Sequence, residues 1–451
     1  KFTIISNSSI IKADTLDIES NGVSRHPKGV EISDSTIDIA GDIDFDAVGK
    51  SESVSDNFQT VTSAFYVRKS AISSKTGDIR IKGVAGDGNS SNDYESPFGG
   101  DCGGCGETDS PSGNLIDVAG VGVEILGEIG NHSSITANNG TIQIEGRGPQ
   151  GSIIPSGQGI VIKSSTIKAQ AITLNGIGGK GSEVLKASEG VRMQDNSEIH
   201  AVGNLTITGT SLNTEKNTTS HVYRAHGVLL GESHLKSDTG MITLDGTGAS
   251  GNQVKRAYGI YLQNNASIRG ARIQLTGRGG SATDLSSNSV GNSYNFYGET
   301  YNNSGIDINN GVSIDTNSSN DSGSKITLGE SDQNNGKIEL IGTGGNGVDN
   351  VHGVGIDPQT NTIDSGGDLV IIGTGGVDNK LIEDSQGISI DGYVDGQYSF
   401  GNTITAAGKI QLSGTGGAGD NVDDGGGVWI NNAIITAKDL ETKGYGGRGE
   451  K

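Results

Sequence analysis

The chain has 451 residues, of which 76 are glycine and 6 are proline, and 31% are hydrophobic. That hydrophobic fraction is low for a compact enzyme of this length, the lack of a Gly-X-Y period excludes collagen, and no apolar run reaches the roughly 18 residues of a membrane helix. The net charge of −21 argues against a nucleic-acid partner and against docking on anionic lipid, because both need a basic surface.

One pattern recurs along the chain: a pair of aliphatic residues, a single aliphatic residue, and a closing pair before Gly-rich sequence. The opening pairs are Val30/Ile32, Phe65/Val67, Val123/Ile125, Ile160/Ile162, Val191/Met193, Val228/Leu230, Ile260/Leu262, Ile306/Ile308, Val354/Ile356, Ile388/Ile390 and Val428/Ile430. The single residues are Ile37, Ile72, Ile135, Ile167, Ile199, Leu235, Ile268, Ile314, Ile363, Ile404 and Ile435. Residues 2–18 make an incomplete first copy, and a glycine precedes each opening pair except Phe65/Val67.

The spacing of two within each pair places both aliphatic side chains on one face of a β-strand. Each copy therefore predicts three short strands, and a single copy cannot bury its apolar face. Stacked copies can, because each aliphatic residue then packs on its equivalent in the next turn. We predict an all-β, right-handed, single-stranded parallel β-helix of about twelve three-strand rungs, forming one repeat domain over residues 1–451. A β-propeller or β-sandwich is the alternative, but those folds need antiparallel hairpins between their strands.

Length variation concentrates in three predicted insertions, at residues 83–121, 277–304 and 316–335. Insertions on a solenoid usually gather on one side, and that side is the expected binding face. Simple tolerance of extra length is the alternative explanation. Because both ends of the sequence fall at rung boundaries, we expect a segment of a longer array. The expected partners are neighbouring rungs of that chain or further copies joined end to end.

The two cysteines, Cys102 and Cys105, form a C-x-x-C motif within a Gly-rich loop. A structural zinc site needs four ligands, and no second such motif occurs in the sequence. A thioredoxin-type dithiol needs a helix N-terminus to lower its thiol pKa, and no helix is expected. We therefore predict a loop-closing disulfide, which fits an extracytoplasmic compartment.

Calcium is the one cofactor that the sequence raises. Residues 344–351 match the G-G-x-G-x-D-x-Φ pattern of calcium-binding β-rolls, with Asp349 at the acidic position, and Asp420, Asp423 and Asp424 follow a related Gly-rich segment. The β-roll motif binds calcium in immediate tandem, whereas these copies lie a whole rung apart. Ordinary turns, which also favour Gly followed by Asp or Asn, remain the alternative.

Two fragments are similar to signatures of β-helical polysaccharide-cleaving enzymes. Arg80-Ile81-Lys82 looks like part of a polygalacturonase signature, and Val428-Trp429-Ile430 looks like part of a pectate-lyase signature. Both coincide with ordinary rung positions, and the companion motifs do not occur. Tyr66, Tyr261 and Trp429 are candidates to stack on sugars, or to pack beneath loops. We predict a protein without catalytic residues.

The repeat resembles that of filamentous-haemagglutinin-type exoproteins, the two-partner-secretion adhesins of Gram-negative bacteria. The resemblance is carried by segments such as residues 227–230 followed by residues 242–248, and it covers almost the whole chain. It implies export to the cell surface, a rod-like β-helix, and a role in adhesion or surface structure. We therefore expect a non-enzymatic extracellular stalk, fibre segment or adhesin that contacts a cell-surface glycan or receptor. A carbohydrate-active β-helix protein, either an enzyme or a glycan-binding rod, is the alternative.

Overall fold

The computed structural model describes residues 3–6, 8–21, 28–49, 62–86, 117–128, 130–212, 221–251, 253–281, 305–308, 313–315, 336–345, 351–357, 361–376, 381–382, 385–395, 398–419, 421–422 and 425–449. These residues form strands and turns, and none of them is helical. The strands stack in parallel and in register as three long sheets, which confirms the predicted parallel β-helix. Twelve rungs, numbered here from 1 to 12 along the chain, can be followed through the described residues.

Each rung contributes one strand to each sheet. The first sheet contains Thr3–Ile5, Val30–Ser33, Thr62–Arg68, Asp117–Leu126, Gln150–Lys163, Val191–Gln194, Val228–Gly231, Ile260–Gln263, Ile306–Ile308, Val354–Ile356, Ile388–Ile390 and Val428–Ile430. The second contains Ile10–Ala13, Thr36–Ile39, Ala71–Ser74, Ser133–Ala137, Ser165–Ala169, Glu198–Ala201, His234–Ser237, Ser267–Arg269, Ser313–Asp315 and Thr362–Ser365. The third contains Leu16–Asn21, Ile43–Val48, Ile79–Val84, Thr141–Arg147, Ala171–Ile177, Leu205–Thr210, Met241–Thr247, Arg272–Arg278, Ile338–Thr343 and Leu369–Thr374. In rungs 11 and 12 a single strand serves both the second and third sheets, as Asn402–Thr415 and Ala433–Tyr445.

The predicted aliphatic pairs line the interior. Ile207, for example, is aligned with Leu174 in the rung before it and with Leu244 in the rung after it, and all three are fully buried. The same alignment repeats through one continuous apolar cluster that extends from Ile5 to Leu412. Burying aliphatic surface is the main favourable contribution to folding, so this column is the chief source of stability.

The glycine before each opening pair is explained by close backbone approach. A Cβ at Gly227 would lie 2.2 Å from the backbone nitrogen of Thr247 and 2.7 Å from the carbonyl oxygen of Gly209. Gly209, at the end of the third-sheet strand, faces Gly227 in the same tight contact. Of the described glycines, Gly130 is the one with a positive φ, so φ is not the reason for these corner glycines.

A buried polar row follows the turn between the first and second sheets. Ser70, for example, accepts the Ser35 backbone N–H at 3.1 Å and donates to the Arg68 carbonyl at 2.7 Å. The row changes to asparagine in rungs 10 and 11. Its members are Ser35, Ser70, Ser133, Ser165, Ser197, Ser233, Asn361 and Asn402. These side chains satisfy backbone groups that the turn would otherwise leave buried without partners.

Replacing Asn402 by alanine is expected to lower the free energy of unfolding by about 2 to 3 kcal/mol, because it strands several buried groups. The Asn402 amide donates to the carbonyl of Asp391 at 2.6 Å and accepts the backbone and side-chain N–H groups of Asn361 at 3.2 and 3.0 Å. Urea unfolding followed by circular dichroism measures the change. Thr403→Ala, at the next and partly exposed position, is the matched control. Equal, small effects of both substitutions would contradict the buried row.

The structure adds a fourth strand to some of the predicted three-strand rungs. A fourth ladder lies beside the first sheet in rungs 5 to 8, and it has its own small apolar cluster around Leu185, Val222 and Val254. This side ladder contains the first residues of Gln150–Lys163, then Lys180–Lys186, His221–Tyr223 and Gln253–Lys255. The connection after the third-sheet strand Ala171–Ile177 therefore contains a strand of its own, Lys180–Lys186.

Other connections also differ from the expected ones. A short antiparallel hairpin, Tyr393–Asp395 with Tyr398–Phe400, is inserted in rung 11, and two short parallel pairs join Leu381–Ile382 to Asn421–Val422 and Ala418–Gly419 to Arg448–Gly449. At the edges of the predicted insertion 83–121, one strand extends to Val84 and the next begins at Asp117. Most of the insertion 277–304 and all of 316–335 lie outside the described residues.

Candidate ligand-binding surface

The metal and disulfide residues predicted from the sequence lie outside the described residues. This is true of the predicted calcium ligands Asp349, Asp420, Asp423 and Asp424, and of the predicted disulfide partners Cys102 and Cys105. Calcium binding and the disulfide therefore stay predictions. Within the described ranges, no group of three or more His, Cys, Asp or Glu side chains is arranged to hold a metal ion.

The fragments that are similar to lyase and hydrolase signatures occupy ordinary strand positions. Ile81 is buried in the core, whereas Arg80 and Lys82 point outward and pair with Asp44 and Asp46 of the preceding rung at 3.9 and 3.2 Å. Val428–Ile430 is the rung 12 strand of the first sheet. Neither fragment contributes to a cluster of buried polar groups.

The outward face of the first sheet carries one side chain per rung between the members of each opening pair. In register order this column contains Glu31, Tyr66, Glu124, Val161, Arg192, Leu229, Tyr261, Asp307, Gly355, Ser389 and Trp429. Several of these residues are buried although they point away from the core. A second layer of side chains must therefore cover the column in the middle rungs.

Aromatic rings form part of that second layer. His226 stacks on Tyr258 with ring centroids 5.1 Å apart, and both rings contact the outward ring of Tyr261, at 5.4 and 4.8 Å. His226 and Tyr258 are 2% and 5% exposed, whereas Tyr261 is partly exposed. The Nδ1 atom of His226 accepts the backbone N–H of Tyr258 at 3.2 Å. Two buried rings thus hold the third in a fixed position at the surface.

Arginines from three successive rungs influence this stack. Burial, together with the positive charges of Arg224, Arg192 and Arg256, lowers the pKa of His226 to about 3. The imidazole is therefore neutral at physiological pH and accepts at Nδ1. Burial also raises the pKa of the Tyr261 hydroxyl, and the carboxyl of Asp307 raises it further. The phenol therefore stays protonated.

Asp307 lies directly opposite Tyr261 in the neighbouring rung and is 4% exposed. Burial raises its pKa well above the ordinary value, and the nearby carboxyl of Asp357 adds to the rise, whereas Arg256 and a hydrogen bond from Tyr258 oppose it. The Oδ1 atom of Asp307 has no hydrogen-bond partner among the residues that the structure describes. A buried acceptor of this kind is rare in native proteins and costs free energy unless something donates to it.

Asp357 and Asp391 extend the acidic part of the surface. Each residue immediately follows a first-sheet strand. The backbone N–H of Asp357 donates to the carbonyl oxygen of Ile308, and that of Asp391 to the carbonyl oxygen of Ile356, both at 2.9 Å and both in the preceding rung. Burial raises the pKa of Asp357 to about 6, and the charge of Asp391 contributes to the rise. The Asp391 carboxylate accepts the side-chain amide of Asn431 at 2.8 Å. We call His226, Tyr258, Tyr261, Asp307 and Asp357 the outer cluster.

Local backbone geometry places these side chains on the outer face. After the side-ladder strands, Ala187, Arg224 and Arg256 have positive φ values of 35°, 50° and 55°. Left-handed backbone costs about 1 kcal/mol or more for residues other than glycine, so the surrounding packing must hold these turns. The turns lead the chain from the side ladder toward the first sheet, and His226 and Tyr258 are the residues just before its corner glycines.

Sequence reasoning identified Tyr261 but missed the covering layer. The missed residues share one position, two residues before the first aliphatic residue of an opening pair, and all are buried. They are Ser63, Gln158, Glu189, His226, Tyr258, His352 and Gln386. The available signal was the recurrence of large polar or aromatic residues immediately before the corner glycine. Tyr66 and Trp429, the other aromatic candidates, are separate from the cluster: Tyr66 lies beneath the Lys28 ammonium at 3.6 Å, and Trp429 is 52% exposed in rung 12.

The described residues include no helix with the length and hydropathy needed to cross a membrane. Comparisons of the chain with protein-family models, with curated proteins and with solved structures found no match.

Proposed function

We propose that this chain is a non-enzymatic segment of an extracellular stalk, fibre or adhesin, of the kind that the filamentous-haemagglutinin-like repeat implies. The observation that supports the proposal most strongly is the uninterrupted register of twelve rungs around one apolar column. Such a solenoid is stiff along its axis, because each rung is bonded to its neighbours through three sheets. A stiff rod suits a protein that spans distance or displays side chains along its length.

The outer faces of the second and third sheets fit this role. Many of their charges form ion pairs between adjacent rungs, including Lys168 with Glu198 at 3.7 Å and Lys82 with Asp46 at 3.2 Å. Lys409 and Glu441 form a further cross-rung pair. Surface pairs of this type contribute little stability individually. Because the charges on these faces largely neutralise each other and stay in contact with water, the faces suit the sides of a soluble rod.

Rod shape and location test the proposal together. Twelve rungs at about 4.8 Å each predict a particle roughly 55 to 60 Å long before loops are added, which small-angle X-ray scattering measures directly. Antibodies against the purified chain are expected to label intact source cells. Labelling that appears only after permeabilisation, or a scattering profile of a sphere, would overturn the proposal.

A carbohydrate-active enzyme is the second candidate, and the adjacent carboxyls of Asp307 and Asp357 favour it. Paired carboxyls with different pKa values are the usual acid and base of glycoside hydrolysis. The test is incubation with neutral and acidic polysaccharides, followed by chromatography of released oligosaccharides. We expect no release. Release that disappears in Asp357→Asn, while Asp391→Asn retains it, would establish the enzyme instead.

A further inference from the structure

We propose that the chain cleaves its own backbone between Asp357 and Pro358, with the Asp357 side chain as the nucleophile and the buried amides of Asn361 and Asn402 as the groups that stabilise the reacting carbonyl oxygen. This is a single intramolecular event that consumes only water. It goes beyond the proposed stalk, and it does not depend on where the chain is located or on what the chain binds.

The Asp357–Pro358 bond is chemically distinct from the others in this chain. Of the six prolines, Pro358 is the one that follows an aspartate. Its nitrogen belongs to a tertiary amide without an N–H, and it leaves as a secondary amine, which accepts a proton readily. An aspartate carboxyl can reach the carbon of its own carbonyl group and close a five-membered ring. The Asp-Pro sequence therefore supplies both a nucleophile and a favourable leaving group.

Two buried side-chain amides hold the carbonyl oxygen of Asp357. The Nδ2 atom of Asn361 donates to that oxygen at 2.9 Å, and the Nδ2 atom of Asn402 donates to it at 3.3 Å. Asn361 and Asn402 are 1% and 0% exposed, so both donors are fixed and shielded from water. Negative charge develops on this oxygen when the carbonyl carbon is attacked, and buried donors that are already aimed at it stabilise that charge. The pair therefore has the form of an oxyanion hole.

Comparison with other rungs separates support of the turn from cleavage. A serine hydroxyl donates to the equivalent carbonyl in earlier rungs, as Ser70 does to Arg68 at 2.7 Å, so one donor belongs to the ordinary turn. Rung 10 differs in having two amide donors and an aspartate followed by proline. In rung 11 the carbonyl of Asp391 accepts from Asn402 at 2.6 Å, but Gly392 follows. The Asp391–Gly392 bond is therefore an internal control.

The surroundings of Asp357 favour the protonated carboxyl that the reaction needs. The titratable groups that face it are the carboxyls of Asp307 and Asp391 and the hydroxyl of Tyr261. Burial, together with the charge of Asp391, raises the pKa of Asp357 to about 6. At mildly acidic pH most of this carboxyl keeps its proton, which it can deliver to the departing nitrogen.

The reaction balances without a cofactor. A carboxyl oxygen of Asp357 attacks the carbonyl carbon of the same residue, and the resulting oxyanion accepts from Asn361 and Asn402. The carbon–nitrogen bond then breaks, and its electron pair and the carboxyl proton go to the Pro358 nitrogen. Asp357 is left as a cyclic anhydride, which one water molecule opens to two carboxyls. Because Asp357 is partly exposed, that water can reach it. The products are residues 1–357 and residues 358–451.

The two products are expected to remain in one particle. The strand Val354–Ile356 stays paired with Ile388–Ile390, and Thr362–Ser365 and Leu369–Thr374 stay paired with strands of rung 9. Cleavage therefore interrupts the covalent path along the rod without unstacking it, and hydrogen bonds and packing alone hold the rungs beyond the break. Only unfolding separates the products.

The experiment incubates the purified full chain, with protease inhibitors, and then separates it on a denaturing gel. We expect a fragment whose first residue is Pro358, identified by mass and by N-terminal sequencing. It should accumulate about tenfold faster or more at pH 5 than at pH 8, because the carboxyl must be protonated. At pH 5 it should also accumulate about tenfold faster or more in the folded chain than in the urea-unfolded chain, which lacks the aligned donors.

Variants assign the roles. Asp357→Ala removes the nucleophile and should abolish the fragment. Pro358→Ala changes the leaving group and should slow cleavage about tenfold or more. Asn361→Ser installs the residue that the buried row has in earlier rungs, and the loss of one amide donor should slow cleavage about tenfold or more. Asp245→Ala removes an exposed carboxylate of the third sheet and is the matched control, which should cleave at the native rate.

Thermal melting shows whether each variant is folded. Absence of the fragment from the folded native chain at pH 5, equal rates in the folded and the urea-unfolded chain, or an equally fast break at Asp391–Gly392 would overturn the proposal. Persistence of the fragment in Asp357→Ala would overturn it as well. None of these results bears on the length of the rod or on surface labelling, so this proposal and the proposed function fail separately.

Discussion

Replacing Ile207 by aspartate is expected to unfold the middle of the rod, with a loss of more than 4 kcal/mol in the free energy of unfolding. Ile207 is fully buried and aligned with Leu174 and Leu244 of the adjacent rungs. The substitution puts a carboxylate, which has no partner there, into an aliphatic column. Chemical denaturation followed by far-ultraviolet circular dichroism measures the loss, and limited proteolysis locates it.

Two comparisons separate burial from other causes. Thr206→Asp places the same charge on the next residue of the same strand, which faces outward and is partly exposed, and should cost less than about 1 kcal/mol. Deleting residues 191–227 removes one whole rung and rejoins Gly190 to Val228, the start of the next equivalent rung. We expect this deletion to destabilise less than Ile207→Asp does, because the stacked column stays continuous. Similar tolerance of the deletion and both point substitutions would contradict the column.

Replacing Asp307 by asparagine is expected to stabilise the protein at pH 7, because it removes the penalty for ionising a buried carboxyl. The pKa of Asp307 is raised by burial and by Asp357, so folding holds a proton that the unfolded chain releases. Asparagine imitates the protonated carboxyl in shape and keeps the oxygen that accepts from Tyr258. The side chain at position 307 is therefore uncharged in the variant at every pH.

The pH dependence gives the sharper test. A carboxyl whose pKa is higher in the folded state than in the unfolded state contributes to stability while it is protonated. That contribution is complete below the unfolded pKa and is lost as the pH rises through the folded pKa. The pKa of the neighbouring Asp357 is raised from 3.8 to about 6, so its contribution to stability is expected to be lost between about pH 4 and pH 6. The gain from Asp307→Asn should accordingly vanish below about pH 4 and grow as pH increases.

Denaturation midpoints of the native chain and of Asp307→Asn, measured from pH 3.5 to 8, give the stability gain at each pH. Buried, neutral His226 makes both proteins less stable as the pH falls, and this contribution cancels when one is subtracted from the other. Asp245→Asn, at an exposed outward position of the third sheet, is the control for loss of a surface carboxylate and should change the stability at pH 7 by less than about 0.5 kcal/mol. A gain from Asp307→Asn that is independent of pH would refute the buried ionisation.

The architecture could be predicted because each repeat contains the aliphatic spacing that causes the strands to stack. Spacing of two within Ile260/Leu262 and Ile273/Leu275 fixes which face is apolar, and recurrence of the same spacing fixes the stacking. The side ladder was missed because a strand such as Gln253–Lys255 has one apolar residue, Val254, between polar neighbours. One aliphatic residue between polar neighbours has no period, so composition alone does not distinguish it from a loop.

The outer cluster could be predicted only in part. Tyr261 and Asp307 fall at outward positions that the repeat defines, so their adjacency follows once the register is known. His226 and Tyr258 precede the corner glycine, and their position over the first sheet depends on the left-handed turns at Arg224 and Arg256. Backbone of that kind is unusual for arginine, and no local sequence rule predicts it.

The register of the three sheets has a consequence for how the chain acquires its structure. Every strand of these sheets pairs with strands one turn earlier or later along the chain, and the described strands show no pairing between distant turns. Loop-closure entropy is then the same modest amount for each added turn. Order can therefore spread from any formed pair of turns to the next, and a polypeptide that emerges gradually during synthesis adds completed turns one at a time without waiting for its far end.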